Sequence, residues 1–212
     1  MATGAARAEM AGFGAIMTGS SPLTALPMPS APPLDTITVD IVVYPGFKAM
    51  EAIGPMSVFE YANLHLARQG KAAGYDVRVA SFKTGSIRSD TLMSLEATKV
   101  VNTLALPHTA MVVGARHIQA ALVESAALID WIRDAAPRLT RLSALCSGAF
   151  FLAAAGVLDG KRATTHWGVA DRLHADFPAI DIDADAIFIR SGNVWTSAGV
   201  TAGMDLALAL VE

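Results

Sequence analysis

The chain has 212 residues, 53% of them hydrophobic and only 17% charged, with a net charge of −3. That length fits one domain with a large core, and the low charge fits apolar strands covered on both faces. No Lys/Arg cluster or stripe offers a nucleic-acid footprint, no run of apolar residues is long enough for a membrane span, and a single cysteine excludes a disulfide framework or a CxxC zinc site.

Residues 1–35 are rich in Ala, Gly, Ser and Pro and end in Pro27-Met28-Pro29-Ser30-Ala31-Pro32-Pro33. This composition predicts a disordered arm or an over-long translation start. Its lone Arg7 and the lack of an apolar h-region argue against a signal peptide. A lone cysteine suits a reducing compartment, so a cytoplasmic location is expected.

An α/β domain is expected over 36–212. The β-branched run 37–44 (ITVDIVVY) reads as a buried strand closed by Pro45-Gly46. Gly54-Pro55 predicts a helix start with proline in its first turn. Val58, Phe59, Ala62 and Leu66 would face inward, with Glu60, Asn63, Arg68 and Gln69 in water. After a break at 70–74, residues 75–82 alternate as a second strand. Residues 85–91 are turn-rich, and 92–101 read as short irregular strands. A third strand is expected at 110–113.

Residues 118–136 then read as one helix, with Leu122, Ala126, Ile129 and Ile132 inward and Pro137 ending it. A strand at 139–145 delivers Cys146 to a helical stretch at 147–158. Residues 162–167 (RATTHW) predict a short strand and 169–177 a helix stopped by Pro178. Residues 187–189 and 194–197 predict a hairpin around Ser191-Gly192-Asn193. A final helix starts at Thr201 and is still running at Glu212. Strands alternating with helices predict an α/β sandwich with a mainly parallel sheet. Ligands of such sheets bind outside the carboxyl ends of the strands, where the loops at 45–55, 114–119 and 146–148 should meet.

Strand, sharp turn and helix place the Cys146 thiol at a helix N-terminus. There the helix dipole and free N–H groups favour an anion. A stabilised thiolate is therefore expected, serving as nucleophile, oxidation sensor or ligand anchor. The alternative is a small buried hydrophobe. Gly148 permits close helix packing and backbone approach. Ser147 either offers its N–H to a bound anion or caps the helix. Arg116 is a candidate partner for a ligand carboxylate, or a solvated loop residue. His166, beside Trp167, is read as a ligand contact or as a structural hydrogen-bonding group. His65, His108, His117 and His174 show no ligand spacing, so neither a metal nor a cofactor is expected. Trp195 and Met204 read as core or dimer residues.

The run CSGAFFLAAAGVLDGKRATTHW from Cys146, the run VWTSAGVTAGMDLALALVE, and IVVYPGF with EAIGPMSVFEYAN resemble the ThiJ/PfpI superfamily, also called class I glutamine-amidotransferase-like. Within it the chain is most similar to the N-terminal domain of AraC-type transcriptional regulators. Isocyanide hydratases of the superfamily share related Gly-Pro, Cys-x-Gly and Thr-Thr-His-Trp segments. The resemblance implies a flavodoxin-like fold with helices on both faces of the sheet, a homodimer, and Cys146 as a reactive cysteine at a nucleophile elbow. It also implies an acidic partner in the loop before Gly54-Pro55. That position is Glu51, where this branch more often has aspartate.

Two departures accompany it. The loop after the third strand usually carries Pro-Gly-Gly, but here it reads Val113-Gly114-Ala115-Arg116. Fewer glycines weaken an oxyanion hole, whose donors must converge, although Gly114 remains a candidate ligand contact. Protease-like members also place histidine directly after the cysteine, where this chain has Ser147. Two functions follow as expectations. The first is a ligand-sensing, dimerising domain of an AraC-type regulator, reaching DNA only through a C-terminal helix-turn-helix domain absent from this chain. The second is a cysteine-dependent hydratase or hydrolase for small molecules, with Cys146 attacking carbon and Glu51 handling the proton.

Overall fold

Strand β1, Ile37–Val42, is buried from Val39 onward and is an interior strand of the sheet. The computed structural model describes residues 36–72 and 74–211. The arm expected at 1–35 lies outside these residues, as does Glu212, to which the final helix is expected to run. Beside β1 run β2 (Tyr75–Ser81) and, beyond it, β5 (Lys99–Val100). On its other side lie β6 (Thr109–Val112), β7 (Arg141–Leu145), β11 (Val194–Ser197) and β10 (Phe188–Ser191). Every pairing in this seven-stranded sheet is parallel except the β10–β11 hairpin. Two small ribbons accompany it: β3 (Gly85–Arg88) with β4 (Ser94–Ala97), and β8 (Arg162–Ala163) with β9 (Asp181–Ile182).

Helices cover both faces, as the flavodoxin-like expectation requires. Helix α1 (Ala49–Arg68) packs on α6 (Ala202–Val211), while α2 (Ile118–Glu124) and α3 (Ala126–Ala135) pack on α4 (Ala149–Ala154). Helix α5 (Trp167–Asp176) packs beside β9. The core joins Ile41, Met111 and Leu142 of the sheet to Phe59 of α1, Leu128 and Ile132 of α3, and Phe150 and Phe151 of α4. One charge interrupts the apolar run of β1. Asp40 is buried and accepts a 2.6 Å hydrogen bond from Nε of Arg78, its register partner on β2. Burial raises the Asp40 carboxyl above its usual range, while Arg78 opposes the shift. Among the described residues, no helix is long and apolar enough to cross a membrane.

Several boundaries differ from expectation for identifiable reasons. Helix α1 begins at Ala49, five residues before Gly54, because the Ala49 N–H finds its acceptor at Oδ1 of Asp90, 3.3 Å away. This cap comes from a distant loop, and Pro55 lies inside the helix. Asn63 is not a water-facing residue. Its Oδ1 accepts from the N–H groups of Gly74 and Tyr75, and its Nδ2 donates to the Tyr75 carbonyl, tying α1 to β2. The long helix predicted at 118–136 is broken at Ser125. The break shifts the helical phase, so Ala126 is exposed while Leu128, Trp131, Ile132 and Ala135 are buried. The strand predicted at 162–167 stops at Ala163, and α5 begins at Trp167. Met204 packs inside the domain: a Cβ on Gly54 would lie 2.8 Å from its Cγ. Trp195 stands against Phe188 and carries the Arg190 guanidinium over its ring at 5.0 Å.

Candidate functional site

Adjacent strands β1, β6 and β7 run parallel, so their carboxyl ends deliver three loops to one place. The loop after β1 continues into the first turn of α1 and brings Lys48 and Glu51. The loop after β6 brings Gly114, Ala115 and Arg116, and the turn after β7 brings Cys146, Ser147 and Gly148. Backbone bonds lock the three together. The Lys48 N–H donates to the Gly114 carbonyl at 2.9 Å. The Gly114 N–H donates to Oε2 of Glu51 at 2.7 Å. The Ala115 N–H donates to Oγ of Ser147 at 3.0 Å, and that hydroxyl donates back to the Ala115 carbonyl at 3.0 Å.

Cys146 has φ of 53°, and it is the one non-glycine residue among those described with a positive φ. A side chain in that region is strained and persists only where its surroundings hold it. The hydroxyl of Thr165 does so, donating to the Cys146 carbonyl at 2.8 Å. A single 3-10 turn, Cys146–Gly148, then leads into α4. Gly148 is required by close approach: a Cβ there would collide with the Val112 carbonyl oxygen and lie 3.1 Å from the Val113 carbonyl carbon.

The electrostatics differ from the expected stabilised thiolate. Cys146 is fully buried, and its thiol is pushed up to about 12, first by burial and then by the Glu51 carboxylate beside it. Lys48 and the Ser147 N–H pull the other way but do not prevail. The helix-terminus effect read from the sequence is outweighed by desolvation and a neighbouring negative charge. Burial also raises Glu51, against the contributions of Cys146, Lys48 and the Gly114 N–H. Glu51 is 1% exposed and lies in α1 rather than in a loop. Its Oε1 has no hydrogen-bond partner. The cation nearest it is Nζ of Lys48 at 3.4 Å, and the same Nζ donates to Sγ of Cys146 at 3.4 Å. Burial works against the Lys48 ammonium, but its interactions with Cys146 and the Glu51 carboxylate outweigh it and raise its pKa.

Above this buried group lies a cleft of about 380 Å³, lined by Lys48, Asp90, Ala115, Arg116, Ser147 and His166 among others. Cys146 is not among the lining residues, but Lys48, whose Nζ touches its sulfur, and the adjacent Ser147 are. Arg116 is 66% exposed, with its Nε 4.0 Å from Oδ2 of Asp90. His166 is not at a strand end but caps α5. Its Nδ1 accepts from the Gly168 N–H at 3.0 Å, and its ring stacks on Trp167. Burial and nearby Lys48 lower its pKa, so the neutral ring carries its proton on Nε2. Of the residues singled out from sequence, Arg116, Ser147 and His166 line this cleft, whereas Cys146, Glu51, Gly114 and Gly148 belong to the bonded loop cluster and are not in its lining. Sequence reading missed Lys48, Asp90 and Thr165. The i,i+3 spacing of Lys48 and Glu51 was the one available signal. Among the described residues, no three His, Cys, Asp or Glu side chains are placed to hold a metal ion.

Comparison with known proteins matches residues 37–212 to the DJ-1/PfpI family. An isonitrile hydratase of Pseudomonas putida is 42% identical over 91 residues, covering 43% of this chain and 39% of that protein. The HTH-type transcriptional regulator CdhR of Pseudomonas aeruginosa is 31% identical over 170 residues, covering 80% of this chain and 48% of the regulator. The chain thus aligns with less than half the length of either. A solved AraC family transcriptional regulator from Pseudomonas putida superposes with a TM-score of 0.71 at 25% identity, covering 82% of this chain and 90% of that one.

Proposed function

The chain belongs to the DJ-1/PfpI family, and from that premise we propose that it is the ligand-sensing, dimer-forming part of an AraC-type transcriptional regulator. A small molecule enters the cleft over Lys48 and Ser147. Its binding shifts the population between two dimer arrangements, which a separate helix-turn-helix domain reads out on DNA. The observation that carries this reading is the commitment of the loop donors. A catalytic oxyanion site needs N–H groups free to meet charge as it develops. Here the Gly114 N–H is held by Glu51 and the Ala115 N–H by Ser147. A thiol pushed up to about 12 adds to this, since the thiolate is the nucleophile. Binding needs neither free donors nor a thiolate.

A second reading, a cysteine-dependent hydratase, draws on the likeness to isonitrile hydratase. In it the sulfur of Cys146 bonds to the terminal carbon of an isonitrile, and Glu51 relays the thiol proton to that carbon. Water then adds to the carbon, the C–S bond breaks, the thiol regains a proton, and an N-substituted formamide leaves. Incubation with a panel of alkyl isonitriles separates the two readings. Formamide is expected to form no faster with the intact chain than with Cys146→Ala, while a metabolite screen yields a ligand that raises Tm. Stabilisation of about 2.7 kcal/mol is expected at a hundredfold excess over Kd. Turnover lost in Cys146→Ala and kept in Ser147→Ala would overturn the sensor reading.

A further inference from the structure

We infer that the cleft over Cys146 selects a small molecule bearing a carboxylate, held by Lys48 at the inner wall and Arg116 at the rim. This rests on the pocket reading above and names the class of ligand. Both cations are incompletely partnered. The Lys48 ammonium has three donors, and its contacts to Sγ and Oε1 are each 3.4 Å. Charge-assisted bonds normally close to about 2.7–2.9 Å. Its side chain is 23% exposed and lines the cleft, so a ligand oxygen can reach it without displacing Glu51. Arg116 holds Asp90 at only 4.0 Å. The Ala49 N–H takes Oδ1 of Asp90, and Oδ2 stands beyond hydrogen-bond reach of the guanidinium, whose fork is left open to a ligand carboxylate.

The neutral His166 ring adds a hydrogen-bonding group at the same wall and no negative charge. The buried Oε1 of Glu51, which makes no hydrogen bond, faces the ammonium as its counter-charge at 3.4 Å. A carboxylate arriving from the cleft side would then complete the Lys48 shell. A cleft of about 380 Å³ falls in the range that admits small metabolites. A primary amine or quaternary ammonium alone would meet two cations against the single Asp90 carboxylate of the lining and is disfavoured there.

Butyrate and butyramide have the same shape and differ in charge, and they serve as the probe pair. Each is titrated into the intact isotope-labelled chain while the amide resonances of Ala115 and Ser147 are followed. Butyrate is expected to shift both amides with an affinity about tenfold or more above that of butyramide, the factor that one modest charge contact supplies. Lys48→Met should remove that preference and Lys48→Arg should keep it. Arg116→Met should weaken butyrate alone.

Equal shifts from the two probes, no shift from either, or a preference that survives in Lys48→Met would each overturn the carboxylate assignment. The outcomes also separate this inference from the sensor reading. Equal binding of both probes sinks the anion preference and leaves the pocket standing. Isonitrile turnover through Cys146 sinks the sensor reading and leaves the anion site standing.

Discussion

Gly148→Ala is expected to cost about 3 kcal/mol of stability and to pull the turn bearing Cys146 away from β6. The added methyl has nowhere to go. The atoms it meets are the Val112 carbonyl oxygen and, at 3.1 Å, the Val113 carbonyl carbon, both main-chain atoms at the carboxyl end of a central strand. No flexible side chain can swing aside, so either the strand or the turn must shift. Because Cys146 is held by the Thr165 hydroxyl at its carbonyl, such a shift also disturbs the thiol and Lys48. Gly203→Ala is the control. Its nearest neighbour is a Leu145 side-chain carbon at 3.6 Å, an ordinary contact, and alanine should be neutral or slightly stabilising in α6. Urea unfolding of the two variants checks the contrast. A loss below about 1 kcal/mol for Gly148→Ala would mean that the turn is not clamped against β6.

A second large effect appears at alkaline pH. The folded Cys146 thiol keeps its proton up to about 12, whereas the unfolded one releases it near the ordinary 9.0. Between those values the folded state binds more protons than the unfolded state, so stability falls as pH rises. The contribution is fully present below pH 9 and is lost progressively towards the folded value. By pH 11 the loss is about 3 kcal/mol relative to a chain without the thiol. The measurement is unfolding free energy from pH 8 to 11 for the intact chain and for Cys146→Ala, taken as a difference so that lysines and tyrosines away from the site cancel, while Lys48 and Tyr44, which feel Cys146, stay in it. Curves that run parallel across that window would show the thiol to be unperturbed by its burial.

The architecture was legible because its signals are local. The β-branched run of β1, the apolar strand before Cys146 and the Gly192 hairpin each announce themselves within a few residues. The backbone at Cys146 followed from strand, turn and helix read together. What escaped reading is set by contacts across the fold. Helix α1 starts at Ala49 because Asp90, on a distant loop, caps it, while Gly54-Pro55 mimicked a start. Lys48 lies 98 residues from the sulfur it touches, and no periodicity reports such a contact.

The charge state of the cysteine was misread for the same reason. A helix N-terminus is visible in sequence, but complete burial and the side-chain conformation of Glu51 are not. Glu51 itself entered through family resemblance rather than through any pattern of its own. The loss of glycine after Gly114 was visible. Its consequence, Ala115 and Gly114 both bonded to side chains of the site, required the structure.

Burial and the Glu51 carboxylate keep Cys146 a protonated thiol, and on that charge state the proposed binding role depends. Thiolate absorbance near 240 nm, recorded against pH for the folded chain and corrected with Cys146→Ala, tests it most directly. Expected are no thiolate at neutral pH, a midpoint near 12, and a lower midpoint in Glu51→Gln, where the neighbouring negative charge is gone. A thiolate already formed by pH 8, with a midpoint unmoved in Glu51→Gln, would contradict it and return Cys146 to the role of nucleophile.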